Sequence, residues 1–172
     1  MNFKELLPQV TTFMFDVDGV LSSSLVQLLP GEEPIRTANI KDGYAMQLAV
    51  KKGYHIVIIT GGKSEAVEER YSRLGIKDIY MRSSIKIEDF NKVVEKYKLS
   101  MDEIMYMGDD IPDLQVMSKV GVPCCPSDAA QEIKKASVYI SDKEGGMGCA
   151  RDIIEQVLKA QDKWMDNEAF GW

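Results

Sequence analysis

Cysteine and histidine are both scarce in this chain, and their scarcity argues against several classes of protein. There are three cysteines in 172 residues, and two of them, Cys124 and Cys125, are adjacent. This spacing fits neither a disulfide framework nor the paired CxxC pattern of a zinc site, so we expect reduced core thiols in a cytoplasmic protein. The single histidine, His55, lies in an apolar run. We expect it to be structural, which argues against phosphoryl or acyl transfer through histidine.

Long hydrophobic runs and an excess of positive charge are also missing. No stretch approaches the length that spans a bilayer, and the first ten residues contain Lys4, Glu5 and Pro8 instead of an apolar signal core. The net charge of -6 argues against nucleic acid or an anionic membrane as a partner. An anionic substrate must therefore be bound by a few locally placed cations.

What the chain does contain is the ordinary composition of a globular protein, with apolar strand-like segments alternating with helical ones. The alternation predicts an α/β fold: a three-layer, Rossmann-like parallel sheet with helices on both faces, joined by right-handed crossovers. We expect residues 1–172 to form a single domain. Around residues 22–38, apolar residues flank a Pro/Gly/acidic turn, which predicts a projecting β-hairpin. A C-terminal tail follows at about 161–172.

Two helix starts follow from local signals. The periodicity predicts a helix from Tyr44 to Lys52, with Asp42 and Gly43 just before it. Ser84 is the predicted N-cap of a later helix that extends to about Tyr97.

The chemically suggestive stretch follows the first buried strand, where Asp16 and Asp18 are two residues apart. Alternate residues of an extended backbone point to the same side, so both carboxylates can face one pocket. Like charges at that distance need a cation, a proton or a phosphoryl group between them. Gly19 permits the tight or left-handed turn that leaves them uncovered.

Three further elements follow the ends of other predicted strands or a helix start: Thr60-Gly61-Gly62, Lys86, and Asp109-Asp110 with Asp113. Ligands of a parallel sheet bind at the carboxyl ends of its strands, so we expect these groups to converge. Carboxylates suit Mg²⁺, while a hydroxyl, backbone amides and a lysine suit phosphoryl oxygens. Each element alone is common at a protein surface. Their order and spacing together favour a phosphoryl-transfer site with a carboxylate nucleophile.

These motifs resemble the haloacid dehalogenase superfamily of aspartyl-phosphate phosphatases. The chain is similar to the small capless branch that acts on phosphorylated sugar acids, through Asn39 to Tyr44, Arg70 and Gly145 to Gly148. The resemblance covers about residues 10–158. It implies an Mg²⁺-dependent phosphatase of 3-deoxy-D-manno-octulosonate 8-phosphate in lipopolysaccharide precursor biosynthesis. A nine-carbon ketosugar-acid 9-phosphate is the alternative substrate.

The resemblance also implies roles for the motif residues. Asp16 attacks phosphorus, and Asp18 first protonates the leaving oxygen and then deprotonates the hydrolytic water. Mg²⁺ is held by Asp16, the backbone carbonyl of Asp18, and Asp109. Thr60 and Lys86 hold the phosphoryl oxygens. Asp110 and Asp113 support the site by orienting metal-bound water and Lys86.

The implied substrate-binding set contains Asp18, Asn39, Ile40, Lys41, Asp42, Gly43, Gly61, Gly62, Lys63, Arg70 and Lys86. Arg70 is expected to pair with the sugar-acid carboxylate. The branch often has an arginine directly after the Thr-Gly pair, where this chain has Gly62, and Lys63 is a possible substitute one position later.

A phospho-accepting signalling module is a rival of a different class, because receiver domains use the same residue types. In those domains the acid pair comes first and the lysine last, whereas here the lysine precedes the acid pair. Asp18 also favours rapid hydrolysis over a long-lived phospho-signal. The resemblance further implies a homotetramer in which a neighbouring subunit closes the site. The tail, with Trp164, Phe170 and Trp172, is either a frayed terminus or an aromatic segment that packs near such a site.

Overall fold

A six-stranded sheet forms the centre of the computed structural model, which describes residues 2–172. The strands are β1 (Thr12–Phe15), β2 (His55–Ile59), β3 (Asp78–Tyr80), β4 (Ile104–Met107), β5 (Val122–Cys125) and β6 (Tyr139–Ile140). The helices are α1 (Phe3–Leu6), α2 (Ile40–Lys51), α3 (Glu65–Arg73), α4 (Lys86–Tyr97), α5 (Leu114–Met117), α6 (Gln131–Ala136) and α7 (Cys149–Ala160). Within residues 2–172, no helix combines the length and apolarity needed to cross a bilayer.

The sheet has the strand order β3-β2-β1-β4-β5-β6, and every neighbouring pair is parallel. The order reverses at β1, which pairs with β2 on one side and with β4 on the other. In open parallel sheets the crevice at the carboxyl end of such a switch point is the usual ligand site. Asp16 and Asp18 follow β1, so the fold positions both residues at that crevice.

Alternate residues of the strands face two separate cores, which is why the strands are apolar throughout. Phe13 and Phe15 point to the layer that contains α2 and α7, whereas Met14 packs with Phe90 of α4 on the opposite layer. The predicted three-layer α/β architecture is therefore confirmed. The three cysteines are buried and free, as expected for core thiols.

The predicted hairpin at residues 22–38 is much less regular than expected. Its arms meet at a single antiparallel bridge, where Gln27 and Ile35 exchange backbone hydrogen bonds of 3.2 and 2.9 Å. Pro30 and Pro34 lack an amide proton and cannot donate to a longer ladder. We refer to residues 22–38 as the hairpin segment from here on.

Both helix-start predictions were wrong because other residues provide the start. The side chain of Asn39 accepts hydrogen bonds from the amides of Lys41 and Asp42, so α2 begins at Ile40, four residues before Tyr44. The N-cap position of α4 belongs to Ile85, which makes no side-chain capping bond. Ser84 precedes it and lines a cavity instead.

The C-terminal tail folds back onto α2 of its own chain. Trp164 is buried, and Tyr44 donates its hydroxyl proton to the carbonyl of Ala169. Lys52 forms ion pairs with Asp166 and Glu168. The tail is thus not frayed at Trp164, although Phe170 and Trp172 remain exposed.

Candidate active site

Three neighbouring strands deliver the predicted groups to one edge of the sheet. The last residue of β1, Phe15, is in register with Ile58 of β2 and with Met107 of β4. Asp16, Thr60 and Asp109 follow these three strands and therefore emerge side by side. Together they line a cavity of about 450 Å³ with Asp18, Gly61, Gly62, Lys86, Asp110 and Asp113, and also with Ser24, Ser83, Ser84 and Pro112. We call this the carboxylate cavity.

The side chain of Asp16 is buried at the bottom of the carboxylate cavity and is held at both oxygens. Its Oδ1 accepts a hydrogen bond of 2.6 Å from the amide of Val17, and its Oδ2 lies 2.8 Å from Lys86 Nζ. Lys86 Nζ also lies 2.7 Å from Asp113 Oδ1, which accepts a second hydrogen bond from Tyr106. One lysine thus bridges two buried carboxylates, which offsets part of their repulsion.

Burial and crowding alter the proton affinities of these groups. Burial raises the pKa of Asp16 to about 7, with added repulsion from Asp113 and partial compensation from Lys86. Burial likewise raises the pKa of Asp109 to about 8, with repulsion from Asp16 and Asp113. Burial alone would lower the pKa of Lys86, but the two adjacent carboxylates raise it above its ordinary value. The cavity therefore contains more carboxyl groups than one lysine can neutralise in their ionised form.

Asp16, Asp109 and Asp113 form a group whose carboxylate oxygens lie within 4.8 Å of one another. Gly19 makes this approach possible: its φ is +86°, and a Cβ atom there would lie 2.0 Å from Asp109 Oδ2. An all-oxygen donor set with excess negative charge fits a hard divalent cation such as Mg²⁺. Asp113 already accepts hydrogen bonds at both oxygens, from Lys86 and Tyr106 and from the amide of Asp109. Asp16 has only one partner at each oxygen, whereas Asp113 Oδ1 alone has two, so Asp16 and Asp109 are the better candidate ligands.

Thr60 and the following glycines form one wall of the carboxylate cavity. The Thr60 hydroxyl accepts a hydrogen bond of 3.2 Å from the amide of Gly62. The Thr60 carbonyl accepts one from Ser83, which joins this loop to the segment before Lys86. Hydroxyl, amide and ammonium donors thus face the same space as Asp16, which suits the oxygens of a phosphoryl group.

Asp18 is bound by a residue that sequence reasoning did not assign to the site. Arg36, at the end of the hairpin segment, places Nε 2.6 Å from Asp18 Oδ1 and Nη2 3.0 Å from Asp18 Oδ2. The interaction is a two-pronged ion pair, a geometry favoured by the planar guanidinium. Asp18 is accordingly absent from the group of clustered carboxylates, whereas Asp113 belongs to it. The one feature of the sequence that could have indicated Arg36 is its positive charge in the segment that follows Asp16 and Asp18.

A second cavity of about 600 Å³ adjoins the hairpin segment, and we call it the hairpin cavity. Its walls come from residues 32–38 and from the first turns of α3, including Arg70, and Val17 also contributes. Lys63 lies nearby and pairs with Glu33 at 3.2 Å. Arg36 lines this cavity while binding Asp18 of the carboxylate cavity.

The predicted substrate-binding residues around the start of α2, Asn39 to Gly43, line neither cavity. Asn39 caps α2 and donates from Nδ2 to the Gly146 carbonyl at 3.3 Å. Ile40 and Lys41 are exposed, whereas Asp42 is buried against α7. Arg70 differs from these residues, because it lines the hairpin cavity while its guanidinium packs against Gly43. Their predicted contact with substrate stays a prediction, because the structure does not bring these side chains to Asp16.

Comparison with known proteins agrees with this geometry. A family model described as haloacid dehalogenase-like hydrolase matches residues 72–153. The 3-deoxy-D-manno-octulosonate 8-phosphate phosphatase KdsC of Salmonella typhi is 34% identical over 154 residues, which are 90% of this chain and 82% of that protein.

Solved structures agree as well. The phosphatase of the same description from Yersinia pestis superposes with a TM-score of 0.90 at 28% identity, covering 94% of this chain and 87% of that one. The Moraxella catarrhalis enzyme, solved with a magnesium ion, a phosphate ion and a KDO molecule, gives 0.89 at 28% identity, with coverage of 93% and 92%. The order of the motifs, the sheet and these relatives lead to one conclusion: this chain belongs to the haloacid dehalogenase-like hydrolases.

Proposed function

We propose that this protein is an Mg²⁺-dependent phosphatase that hydrolyses 3-deoxy-D-manno-octulosonate 8-phosphate to the free sugar acid and phosphate, in lipopolysaccharide precursor biosynthesis. The observation that carries the proposal is the buried Asp16 carboxylate, held by Lys86 and facing Thr60 and Asp109 at the switch point of the sheet. The relatives with this activity match 90% of the chain, which supports the choice of substrate.

The residues present fit a magnesium ion. Asp16 and Asp109, with the backbone carbonyl of Asp18, would hold it, and Asp110 and Asp113 would support it from the following turn. When bound, Mg²⁺ neutralises charge on the phosphoryl oxygens and on the crowded carboxylates. Lys86 supplies the second positive charge, so the negative phosphate ester can approach Asp16.

In the first step an oxygen of Asp16 forms a bond to phosphorus while the bond from phosphorus to the sugar oxygen breaks. Asp18 donates a proton to that departing oxygen, so the product leaves as an alcohol. Thr60, the amides of Gly61 and Gly62, and Lys86 hold the phosphoryl oxygens during transfer. The product of this step is an aspartyl-phosphate on Asp16.

In the second step water replaces Asp16 on phosphorus. Asp18, now deprotonated, accepts a proton from the attacking water, and the bond between phosphorus and Asp16 breaks to release inorganic phosphate. The two steps return both carboxyl groups to their starting protonation states. The same residue acts as acid and then as base, which requires that Asp18 can reach both the leaving oxygen and the water.

Substitution of the nucleophile tests this mechanism. Asp16→Asn keeps the shape of the side chain but removes the nucleophilic carboxylate, so we expect phosphate release to fall by about 10³-fold or more. The measurement is phosphate release from a panel of esters that contains the eight-carbon substrate and its nine-carbon analogue, with and without a chelator. Normal turnover by Asp16→Asn would rule out the covalent route. A preference for the nine-carbon ester would reassign the substrate.

We further propose one phosphatase domain that acts as a cytoplasmic homotetramer, with a neighbouring subunit closing each site. Two exposed leucines of the hairpin segment, Leu25 at 83% and Leu28 at 75% exposure, support the assembly because they form an apolar surface beside the site. The three free thiols support a reducing compartment.

A further inference from the structure

Arg36 lies at the boundary between the carboxylate cavity and the hairpin cavity. Its guanidinium binds both oxygens of Asp18, and its side chain is only 8% exposed. The remaining nitrogen, Nη1, donates to the carbonyls of Pro34 at 3.1 Å and Lys63 at 3.4 Å. Arg36 therefore forms hydrogen bonds with residues on both sides of this boundary. It belongs to the hairpin segment, whose two arms are joined by a single bridge.

The space that Arg36 occupies exists because residue 62 is a glycine. A Cβ atom on Gly62 would lie 2.7 Å from Arg36 Nη2 and 3.4 Å from Asp18 Oδ2. Any side chain at position 62 would push the guanidinium away from Asp18. The pair of Gly62 and Arg36 thus places a cation from the hairpin segment directly over the phosphoryl-binding loop.

The ion pair conflicts with the role of Asp18 in the proposed reaction. Both oxygens of Asp18 accept hydrogen bonds from Arg36, whereas an acid that protonates a leaving oxygen must carry a proton on one of its own oxygens. The pair must open before Asp18 can act. An arginine leaves one carboxylate at little cost when it gains another of the same geometry. The adjoining hairpin cavity, at about 600 Å³, has room for the leaving group of a phosphorylated sugar acid.

We propose that Arg36 selects substrates whose leaving group carries a carboxylate, by exchanging its ion pair with Asp18 for an ion pair with that carboxylate. The exchange binds the sugar acid and frees the Asp18 carboxylate, which takes up a proton from solvent and then donates it to the leaving oxygen. A phosphate ester with a neutral leaving group offers no replacement partner, so Asp18 stays bound to Arg36 and turnover is slow. This inference rests on the proposed function, since it assumes that Asp18 is the acid and base.

The test compares two esters, 3-deoxy-D-manno-octulosonate 8-phosphate and arabinose 5-phosphate, which has no carboxylate. In Arg36→Gln we expect kcat/KM for the sugar acid to fall by about 10- to 100-fold, the usual effect of losing a charged hydrogen-bonded pair. The loss is expected in KM, with kcat retained because Asp18 is free. For arabinose 5-phosphate we expect kcat/KM to rise, because Arg36 no longer holds Asp18. Arg36→Lys, which keeps the charge but not the fork, is expected to be intermediate for the sugar acid.

Arg73→Gln provides the matched control, because Arg73 lies on the exposed face of α3, pairs with Glu69 and lines neither cavity. It is expected to resemble the wild type on both esters. Equal losses on both esters in Arg36→Gln, or no loss on either, would overturn the exchange while leaving the phosphatase function intact. A wild-type enzyme that hydrolyses neither ester would overturn the proposed function and this inference with it.

Discussion

The side chain of Asp42 lies between the amino ends of α2 and α7 and is 1% exposed. Its Oδ1 accepts a hydrogen bond of 2.7 Å from the amide of Arg151, and its Oδ2 has no hydrogen-bond partner within residues 2–172. Burial raises the pKa of Asp42 from 3.8 to about 6, although the Arg151 amide opposes this shift. Folding therefore makes Asp42 easier to protonate than it is in the unfolded chain.

We expect Asp42 to make the stability of the protein depend on pH. Because its pKa is higher in the folded protein than in the unfolded chain, its contribution is fully present below about 3.8 and is lost as pH rises through about 6. The full difference is about 3 kcal/mol, and roughly half of it is recovered at a pH of about 5. Asp42→Asn removes this dependence, so lowering the pH from about 8 to about 5 should stabilise the wild type relative to the variant by about 1 to 1.5 kcal/mol.

Urea unfolding of both proteins at the two pH values measures this difference. Asp102→Asn is the control, because Asp102 is exposed and lies far along the chain from both helix starts. If wild type and Asp42→Asn respond in parallel to pH, the assignment of the shift to Asp42 is incorrect.

Single residues differ in how far they can be predicted. Asp16, Thr60 and Asp109 follow buried strands of a parallel sheet, so their convergence follows from topology alone. Arg36 reaches Asp18 only through the path of an irregular segment, which no periodicity describes. The buried setting of Asp42 depends on the contact of α2 with the distant α7. Such long-range contacts leave no local sequence signal.

At the scale of elements, the tail and α2 form one packed unit. Trp164 lies edge-on to Tyr44 at 6.3 Å between ring centroids, and the guanidinium of Arg151 lies 4.5 Å above the Trp164 ring. Trp164 is 7% exposed, whereas Trp172 is 64% exposed. The tail therefore contains one buried and one exposed tryptophan, whose contributions to stability can be compared.

We expect Trp164→Ala to lower the free energy of unfolding by about 3 to 5 kcal/mol, because it removes a large ring from a packed site. Trp172→Ala is the matched control and is expected to cost less than about 1 kcal/mol. Chemical denaturation followed by circular dichroism measures both, since the signal does not depend on the substituted tryptophan. If both substitutions lower the free energy of unfolding by equal, small amounts, the packing of the tail on α2 does not stabilise the protein.

Helix starts were harder to predict than the helices themselves, because a start depends on which residue caps the first turn. Ser64 caps α3, because its side chain accepts a hydrogen bond from the amide of Val67. The predicted start of α2 is too late, because Asn39 caps the helix and the apolar periodicity begins only at Tyr44. The predicted hairpin forms no extended ladder, because two prolines cannot donate backbone hydrogen bonds. The leucines of the segment are also exposed, so apolar packing does not stabilise it.

At the scale of the whole molecule, the hairpin segment leaves an apolar surface that a single subunit does not cover. We expect a particle of about four subunits in solution, in line with closed symmetry. Replacing Leu25 and Leu28 together by serine removes apolar side chains that one subunit leaves exposed, so the double variant is expected to dissociate without unfolding.

Light scattering coupled to size-exclusion chromatography measures the mass of both proteins. Replacing Val138, which is 45% exposed and directly precedes the edge strand β6, by serine is the control and should leave the mass unchanged. A wild-type protein that is a strict monomer at micromolar concentration would contradict the proposed assembly.

The pairing of β1 with two distant strands has a consequence for the synthesis of this enzyme. Thr12 of β1 is in register with His55 and with Ile104, so the central strand completes its pairing only after more than half of the chain is available. A growing chain that contains only the first three strands has Asp16, Asp18 and Thr60 but neither Lys86 nor Asp109. Contacts of such high sequence separation form slowly. A chain that ends before Asp109 lacks residues that the proposed reaction needs, so hydrolysis cannot begin before the sheet is joined across its middle.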